Sequence, residues 1–231
     1  MKNIVILTGA GISAESGLKT FRDSDGLWNN HSIYEVATPE AWQANKQLVL
    51  DFYNFRRTEL EQVEPNLGHT ALIGLESKYN VTVITQNVDN LHERAGSSNI
   101  LHLHGQLTQA RGEFSENAVI DIKYTDIQLG DFHPENGEQL RPNIVWFGED
   151  VPEIMNAATI CETADYLLVI GTSLQVYPAA GLIHSIPSPC EVFVIDPKAE
   201  EMAIPNKLQV IKEKAGTAVP ALVKILIGSN A

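Results

Sequence analysis

The sequence predicts an α/β protein: a Rossmann-like parallel sheet with helices on both faces, plus a small domain formed by two insertions. Short apolar runs recur without polar alternation, which is typical of strands covered on both faces. Stretches long enough for crossover helices separate several of these runs. Two longer segments, at 28–64 and 107–140, interrupt this rhythm. The apolar runs lie at 4–7, 81–85, 167–170, 192–195 and 208–211.

The remaining elements fit one α/β unit spanning residues 1–231. The run at 100–103 is a candidate sixth strand, and the segments 66–78 and 153–164 predict crossover helices. The stretch at 28–64 is helix-like and rich in aromatic residues, and the stretch at 107–140 is polar. These two stretches predict the two insertions. We therefore expect a large domain of about 1–27, 65–106 and 141–231, and a small domain of about 28–64 and 107–140.

Composition restricts the classes of function. A 231-residue chain with 44% hydrophobic and 19% charged residues suits a globular domain. Its net charge of −13 argues against tight nonspecific binding to nucleic acid or to an acidic membrane. Two cysteines, Cys161 and Cys190, exclude a four-thiolate zinc site within one chain and argue against a disulfide framework. No apolar run could span a bilayer, and three residues precede the first strand, so we expect a cytoplasmic protein.

A glycine-rich turn directly follows the first strand. Its sequence, Gly9-Ala10-Gly11-Ile12-Ser13-Ala14, fits the G-x-G-x-x-G/A pattern of dinucleotide-binding turns. The first glycine permits the tight turn, the second lets the backbone approach a pyrophosphate, and the small sixth residue allows close helix packing. Free N–H groups at the helix start favour an anion, and the Ser13 and Ser16 hydroxyls can add contacts. The alternative is a tight turn that binds nothing.

The residues after this turn depart from those of an ordinary dehydrogenase. The expected second strand, ending in an acidic residue about 20 positions on, is missing. Thr20, Phe21 and Arg22 follow instead, and then Gly26-Leu27-Trp28. Arg22 can pair with a phosphate, and Phe21 can cover a bound cofactor. The alternatives are a surface ion pair for Arg22 and a core anchor for Phe21.

Five ordered motifs, spread along nearly the whole chain, together resemble the sirtuins, which are NAD-dependent protein lysine deacylases. The resemblance implies a large Rossmann-like domain and a small domain with a cleft between them. The motifs are GAGISAESGLKTFR at 9–22, TQNVDNLH at 85–92, LHG at 103–105, LRPNIVWFGE at 140–149 and GTSLQVYP at 171–178.

The resemblance implies that NAD is a consumed co-substrate, with Asn87 and Asp89 holding its nicotinamide. His104 then takes a proton from a ribose hydroxyl after the acyl oxygen has attacked the ribose carbon. Taken singly, His104, His92 and His102 would each be satisfied buried histidines. Asp196 stands where the family commonly has Asn. The implied cofactor-binding residues are Gly9, Ala10, Gly11, Ile12, Ser13, Glu15, Ser16, Thr20, Phe21, Arg22, Trp28, Gln86, Asn87, Val88, Asp89, Gly171, Thr172, Ser173, Asp196 and Ala215.

The resemblance also suggests which acyl group is removed. Tyr53 and Arg56 are three apart, so on a helix they share a face and offer a phenol and a guanidinium fork to a carboxylate. This Tyr-x-x-Arg pair, with the small Ala37, resembles the sirtuins that remove malonyl, succinyl and glutaryl groups. An exposed Arg and a packing Tyr are the alternative. The other substrate residues are in a segment expected to be extended and to pair with peptide, or else to be a core strand: Val145, Trp146, Phe147, Gly148 and Glu149.

One part of the family pattern is absent. Sirtuins usually carry a zinc ribbon with two cysteine pairs, but residues 108–140 contain no cysteine, and Gly112 stands about where the first thiol is expected. Asp131, His133 and Glu135 are possible hard ligands, but they fit a solvated acidic loop better. We therefore expect no metal. The module should either remain mobile or pack through Val119, Ile120, Ile122, Tyr124, Ile127 and Leu129.

Three functional hypotheses follow. The first is an NAD-dependent deacylase of acyl-lysine proteins that favours succinyl and malonyl groups, retains some deacetylase activity, and yields nicotinamide and O-acyl-ADP-ribose. The second is an ADP-ribosyltransferase or NAD glycohydrolase on the same scaffold. The third is a non-catalytic NAD- or acyl-lysine-binding protein, against which the presence of His104, Asn87 and Asp89 speaks.

Overall fold

The computed structural model describes residues 1–19, 27–28, 31–115, 118–199 and 206–228, with only the backbone described at 27–28. In these ranges the strands are β1 (Asn3–Thr8), β2 (Leu27–Trp28), β3 (His31–Ser32), β4 (Asn80–Thr85), β5 (Ile100–His102), β6 (Gly105–Gly112), β7 (Val119–Asp121), β8 (Leu140–Ile144), β9 (Tyr166–Ile170), β10 (Glu191–Ile195) and β11 (Leu208–Ile211). The α-helices are α1 (Ala10–Ser13), α2 (Ile33–Val36), α3 (Pro39–Ala44), α4 (Lys46–Gln62), α5 (Leu67–Leu72), α6 (Leu91–Ala95), α7 (Ile154–Cys161) and α8 (Ala215–Gly228). Short 3-10 helices span Ala14–Ser16, Ile73–Ser77 and Ala179–His184. None of the described helices has the length and apolarity that crossing a bilayer requires.

Six of the described strands form a parallel sheet in the order β11-β10-β9-β1-β4-β5. The sequence prediction of a Rossmann-like parallel sheet is confirmed. Each predicted apolar run lies on one of these strands, except that β5 ends at His102, one residue before the end of the run predicted at 100–103. The segments predicted as crossover helices contain α5 with the 3-10 helix Ile73–Ser77, and α7.

The central strand β1 supplies side chains to a core on each face of the sheet. Ile4 and Ile6 pack into one core, which α5 and α8 cover. Val5 and Leu7 point the other way, into a core that α7 and the 3-10 helix Ala179–His184 cover. Because both faces are buried, the strand needs apolar residues at consecutive positions.

The strand order changes direction at β1. The chain runs from β1 to β4 and β5 on one side, and later crosses to β9, β10 and β11 on the other. In open α/β sheets, a crevice for ligands forms beyond the carboxyl ends of the strands at such a switch point. The loops that follow β1, β4 and β9 therefore converge there.

The antiparallel sheet β7-β6-β8 lies apart from the parallel sheet and packs on α4. A third apolar core joins them, with Leu50 and Leu60 from α4 and Leu107 and Ala110 from β6. Helices α2 and α3 complete this layer. The domain boundaries given from the sequence stay a prediction, and β8 at 140–144 pairs with β6 in the small sheet.

Packing of the cysteine-free segment differs in part from the sequence prediction. Ile127 is buried in the third core, and Ile120, Ile122 and Tyr124 pack against it. The prediction was wrong for Val119 and Leu129, which are 41% and 49% exposed. Val119 alternates with Ile120 on the edge strand β7, so one of the two must face solvent. Leu129 lies in the turn after Ile127.

Polar side chains of α4 fasten this segment to the small domain. The Asn54 amide donates to the Ile127 carbonyl at 2.9 Å and accepts from the Ile127 N–H at 3.0 Å. The buried Arg57 guanidinium donates to the Asn54 side-chain oxygen and, at 3.3 Å, to the Leu107 carbonyl. Burial lowers the pKa of Arg57 to about 10, with the Asp126 charge opposing it.

Candidate functional site

A cleft of about 430 Å³ opens at the switch point, between the ends of the parallel strands and the small domain. This volume lies within the range typical of small-molecule sites. The sequence-predicted residues that line it are Gly9, Ala10, Gly11, Ser13, Ala37, Tyr53, Arg56, Gln86, Asn87, Val88, Asp89, His104, Val145, Trp146, Phe147, Gly148, Glu149, Gly171, Thr172, Ser173 and Asp196.

The two glycine loops touch each other at one wall of the cleft. The Gly9 N–H donates to the Ile170 carbonyl at 3.0 Å, and the Gly11 N–H donates to the Gly171 carbonyl at 2.8 Å. A Cβ on Gly9 would lie 2.7 Å from Thr172 Cβ, and one on Gly11 would lie 2.7 Å from Gly171 Cα. Glycine is therefore required here by the contact between the loops that follow β1 and β9.

A buried polar cluster forms the floor of the cleft. The Asn87 side-chain amide donates to the Gly9 carbonyl and to Ser13 Oγ, both at 3.2 Å. The Ser13 hydroxyl donates to Asp89 Oδ2 at 2.9 Å, and the Leu91 N–H donates to Asp89 Oδ1 at 3.1 Å. Burial raises the pKa of Asp89, and these donors oppose the rise. The cluster holds a carboxamide and a carboxylate at the end of β4.

Two buried histidines lie behind this floor, with ring centroids 5.0 Å apart. His69 Nδ1 accepts from the Asn66 N–H at 3.4 Å, which leaves its Nε2 to donate to Ser13 Oγ at 3.4 Å. His92 Nε2 contacts Thr8 Oγ1 at 3.1 Å. Burial lowers the pKa of His69 to about 4 and that of His92 to about 3, so both rings are neutral. The sequence singled out His92 as a buried histidine but missed His69.

His104 is the histidine that lines the cleft. Its Nδ1 lies 3.0 Å from the Gln86 carbonyl, an acceptor, so Nδ1 carries the proton and Nε2 is left as the basic nitrogen. Burial lowers the pKa of His104, and the bond to Gln86 opposes this. A neutral imidazole in a cleft can act as a general base near neutral pH. His102, by contrast, pairs with Glu93 at 2.6 Å outside the cleft lining.

Tyr53, Arg56 and Ala37 line the part of the cleft next to the small domain. Tyr53 and Arg56 are both on α4 and both buried. The Trp146 indole N–H donates to the Tyr53 hydroxyl at 3.1 Å. Burial lowers the pKa of Arg56, whereas Tyr53, Glu59 and Asp89 raise it. Burial also raises the pKa of Tyr53, so the phenol keeps its proton.

The segment after β8 is not extended throughout. Strand pairing ends at Ile144, and the expectation of an extended chain was wrong for 147–149, which turn at Phe147 and Gly148. The Glu149 N–H closes this turn on the Trp146 carbonyl at 3.0 Å. The Glu149 carboxylate also accepts from the Trp146 N–H at 2.8 Å and from Arg141 at 2.8 Å. These bonds fold the chain back.

Four predicted cofactor residues do not line the cleft. Ile12 and Ala215 are buried in the core beside α5 and α8. The Glu15 carboxylate accepts from the Gly216 N–H at 2.7 Å, and Ser16 Oγ accepts from the Asn66 amide at 2.9 Å. Thr20, Phe21 and Arg22 lie outside the described residues, and only the backbone of Trp28 is described, in β2. The roles of all eight stay predictions.

The cleft also contains residues that the sequence reasoning missed, among them Val151, Pro197 and Lys198. The Lys198 N–H donates to Asp196 Oδ1 at 2.7 Å, in the turn beyond β10. The only sequence signal that this turn belongs to the site was its position directly after the strand β10. Among the described residues, no group of three or more His, Cys, Asp or Glu side chains is arranged to hold a metal. The zinc-free small domain stays a prediction.

Together, the fold and the cleft define an α/β protein with a dinucleotide-type site at its switch point. The model of the Sir2 family matches residues 9–178. The chain therefore belongs to the Sir2 family. It is 51% identical to a Bacteroides thetaiotaomicron protein named NAD-dependent protein deacylase, over 98% of this chain and 99% of that one. A Helicobacter pylori protein of the same name is 54% identical over 98% of each chain.

Solved structures agree in fold over the whole chain. A Sir2 homologue in complex with NAD superposes with a TM-score of 0.88 at 36% identity, covering 100% of this chain and 91% of that one. A complex described as Sir2, p53 peptide and NAD+ superposes with a TM-score of 0.76 at 27% identity, covering 99% and 94%.

Proposed function

We propose that this chain, an NAD-dependent protein deacylase of the Sir2 family, preferentially removes lysine acyl groups that end in a carboxylate. Succinyl and malonyl groups are the expected substrates, with weaker activity on acetyl groups. One observation carries the proposal: Tyr53 and Arg56, two hydrogen-bond donors on one face of α4, line the same cleft as His104. Ala37, also in that cleft, adds little side-chain volume, which leaves room for a longer acyl chain.

Burial makes this pair selective. Arg56 is 9% exposed, and its desolvation works against its charged form. A substrate carboxylate beside the guanidinium would offset that desolvation, and the neutral Tyr53 could donate a second hydrogen bond to it. An acetyl methyl group can do neither. Sites built to hydrogen-bond a polar group discriminate strongly against substrates that lack it.

The chemistry that fits the cleft starts with NAD and an acyl-lysine side chain. Asn87 and Asp89 would hold the nicotinamide carboxamide while the bond from nicotinamide to ribose breaks. The acyl oxygen attacks the ribose carbon, nicotinamide leaves, and an imidate forms. His104 Nε2 then removes a proton from a ribose hydroxyl, which attacks the imidate carbon. Addition of water and loss of the amine complete the reaction, giving free lysine and O-acyl-ADP-ribose.

We also propose acyl-lysine proteins or peptides as the partners, with no nucleic acid or membrane partner, because the chain carries a net charge of −13. The two buried, unlinked cysteines, Cys161 and Cys190, favour a reducing compartment, and so support a cytoplasmic location. Fractionation of the native cells would test that location.

The decisive variant is Arg56→Met. Breaking a buried charge pair on one side costs several kcal/mol, so we expect the ratio of desuccinylation to deacetylation kcat/KM to fall by about 100-fold or more. The matched control is Arg94→Met, since Arg94 binds the Leu60 carbonyl and Glu64 outside the cleft. Equal losses on succinyl and acetyl peptides in Arg56→Met would overturn the proposed preference.

The same assay distinguishes the other two hypotheses. Nicotinamide release is followed together with peptide mass, with and without acyl peptide. Release that needs no acyl peptide would indicate an NAD glycohydrolase or ADP-ribosyltransferase. Absence of release with every acyl peptide would indicate a binding protein.

A further inference from the structure

Trp146 lines the cleft beside Ala37, Tyr53 and Arg56, the three residues proposed to receive the acyl group and here called the acyl pocket, and it is held in place from several directions. Its backbone N–H donates to Glu149 Oε2 at 2.8 Å, and the Arg141 guanidinium lies 3.3 Å from the centre of its ring. Arg141 in turn binds Glu149 through two nitrogens, at 2.8 and 3.2 Å. The Trp42 ring packs 5.8 Å away, and only 2% of Trp146 is exposed. The indole therefore has one position.

The fixed indole N–H points at one atom of the acyl pocket. It donates to the Tyr53 hydroxyl oxygen at 3.1 Å. The O–H bond of a phenol lies near the plane of the ring and can point to either of two sides. An indole N–H can only donate a hydrogen bond. Because Trp146 occupies one acceptor side of the Tyr53 oxygen, the phenolic hydrogen must point to the other side.

The phenolic hydrogen of Tyr53 has no hydrogen-bond acceptor within the described part of the chain. No acceptor among the described residues binds the Tyr53 hydroxyl, whose only hydrogen bond there is the one received from Trp146. Tyr53 also lines the cleft together with Arg56, a side chain that can only donate. This end of the cleft thus offers two donors, the Tyr53 hydroxyl and the Arg56 guanidinium, while the Tyr53 oxygen already accepts from Trp146.

We propose that Trp146 is a positioning residue for acyl selectivity, because its indole N–H fixes the Tyr53 hydroxyl as a donor toward the acyl group. This inference rests on the proposed preference for acidic acyl groups. It adds a second effect: the engaged Tyr53 oxygen is a poor acceptor, so the pocket also disfavours acyl groups that end in a hydrogen-bond donor, such as an amide NH2.

The test compares Trp146→Phe with Trp42→Phe. Both remove an indole from the same apolar core, but the Trp42 N–H is buried without a hydrogen-bond partner among the described residues, so its loss removes no hydrogen bond. We expect Trp146→Phe to lower the ratio of desuccinylation to deacetylation kcat/KM by about tenfold, through KM for the succinyl peptide. Trp42→Phe keeps an aromatic ring beside Trp146, and Arg141 and Glu149 still hold the Trp146 side chain and backbone. This control should therefore change that ratio by less than about twofold.

A double-mutant cycle separates positioning from packing. In a Tyr53→Phe background there is no hydroxyl to orient, so adding Trp146→Phe should change the ratio by less than about twofold. If Trp146→Phe fails to fold, 3-benzothienylalanine at position 146 keeps the ring shape and replaces the N–H with sulfur. The same tenfold loss is then expected.

The outcomes distinguish the two proposals. A wild-type enzyme without preference for succinyl peptide would overturn the proposed function, and with it this inference. If Arg56→Met loses the preference while Trp146→Phe keeps it, only the role of Trp146 is wrong. An equal loss in Trp42→Phe, or an undiminished loss in the Tyr53→Phe background, would also reduce Trp146 to a packing residue.

Discussion

Because the folded protein buries the His69 imidazole in its neutral form, the fold should become steadily less stable as the pH falls below about 6.5. Burial lowers the pKa of His69 from 6.5 to about 4. Unfolding exposes the ring, so below pH 6.5 the unfolded chain binds a proton that the folded chain does not. The stability due to the neutral ring is therefore complete above pH 6.5 and is lost as the pH falls toward about 4.

The size of the effect follows from the same values. At about 1.36 kcal/mol per pKa unit, the drop from 6.5 to about 4 corresponds to about 3 kcal/mol, of which about 2.5 kcal/mol is lost by pH 4.5. His92, whose pKa is about 3, acts in the same direction, and the charge of His69 contributes to lowering its pKa. Removing His69 therefore also weakens the pH dependence due to His92.

Urea unfolding at pH 7.5, 6.5, 5.5 and 4.5, followed by tryptophan fluorescence, would measure this dependence in wild type and His69→Gln. The loss of unfolding free energy from pH 7.5 to 4.5 should be about 2–3 kcal/mol smaller in His69→Gln. His184→Gln, which changes an exposed histidine, is the control and should follow wild type. Carboxylates titrate in all three proteins, so parallel curves for wild type and His69→Gln would show that His69 does not cause the loss of stability.

Two further predictions concern His104 and its neighbour. Replacing His104 with Ala should lower kcat for deacylation by about 10²- to 10⁴-fold. Because burial lowers the pKa of His104, the acid limb of the wild-type kcat/KM profile should have its midpoint below pH 6.5. A midpoint above pH 6.5 would contradict this role for His104. Gly105 has a φ of +76°, and a Cβ there would overlap the Asn143 carbonyl oxygen. Gly105→Ala should lower the urea-measured unfolding free energy by about 1–3 kcal/mol, whereas Gly181→Ala, which meets open space, should change it little.

The parallel sheet was predictable because its strands carry their signal locally. Short runs of consecutive apolar residues such as Ile4 to Leu7 are typical of strands buried on both faces, and they can be read without knowing the partner strands. The spacing of Tyr53 and Arg56 was equally readable, since three positions on a helix define a shared face.

The features that escaped prediction depend on partners distant in sequence or on a local turn. His69 belongs to the cleft floor through Ser13, which lies 56 positions earlier. The turn after Trp146 depends on how Glu149 bonds to Arg141, and a motif of apolar and aromatic residues does not reveal that choice. The bond between Trp146 and Tyr53 spans 93 positions, so neither residue alone indicates that the indole orients the phenol.

The position of β1 in the sheet affects how the chain must fold. It comes first of the six strands along the sequence, yet it lies in the middle, with Ile4 beside Val81 on one side and Tyr166 on the other. During synthesis, its partner strands β4 and β9 are made more than 70 and 160 residues later. Until then, the backbone groups on both edges of β1 stay unpaired. Such distant pairing favours slow folding and exposes an apolar edge meanwhile. We therefore expect the newly made chain to depend on chaperones during expression.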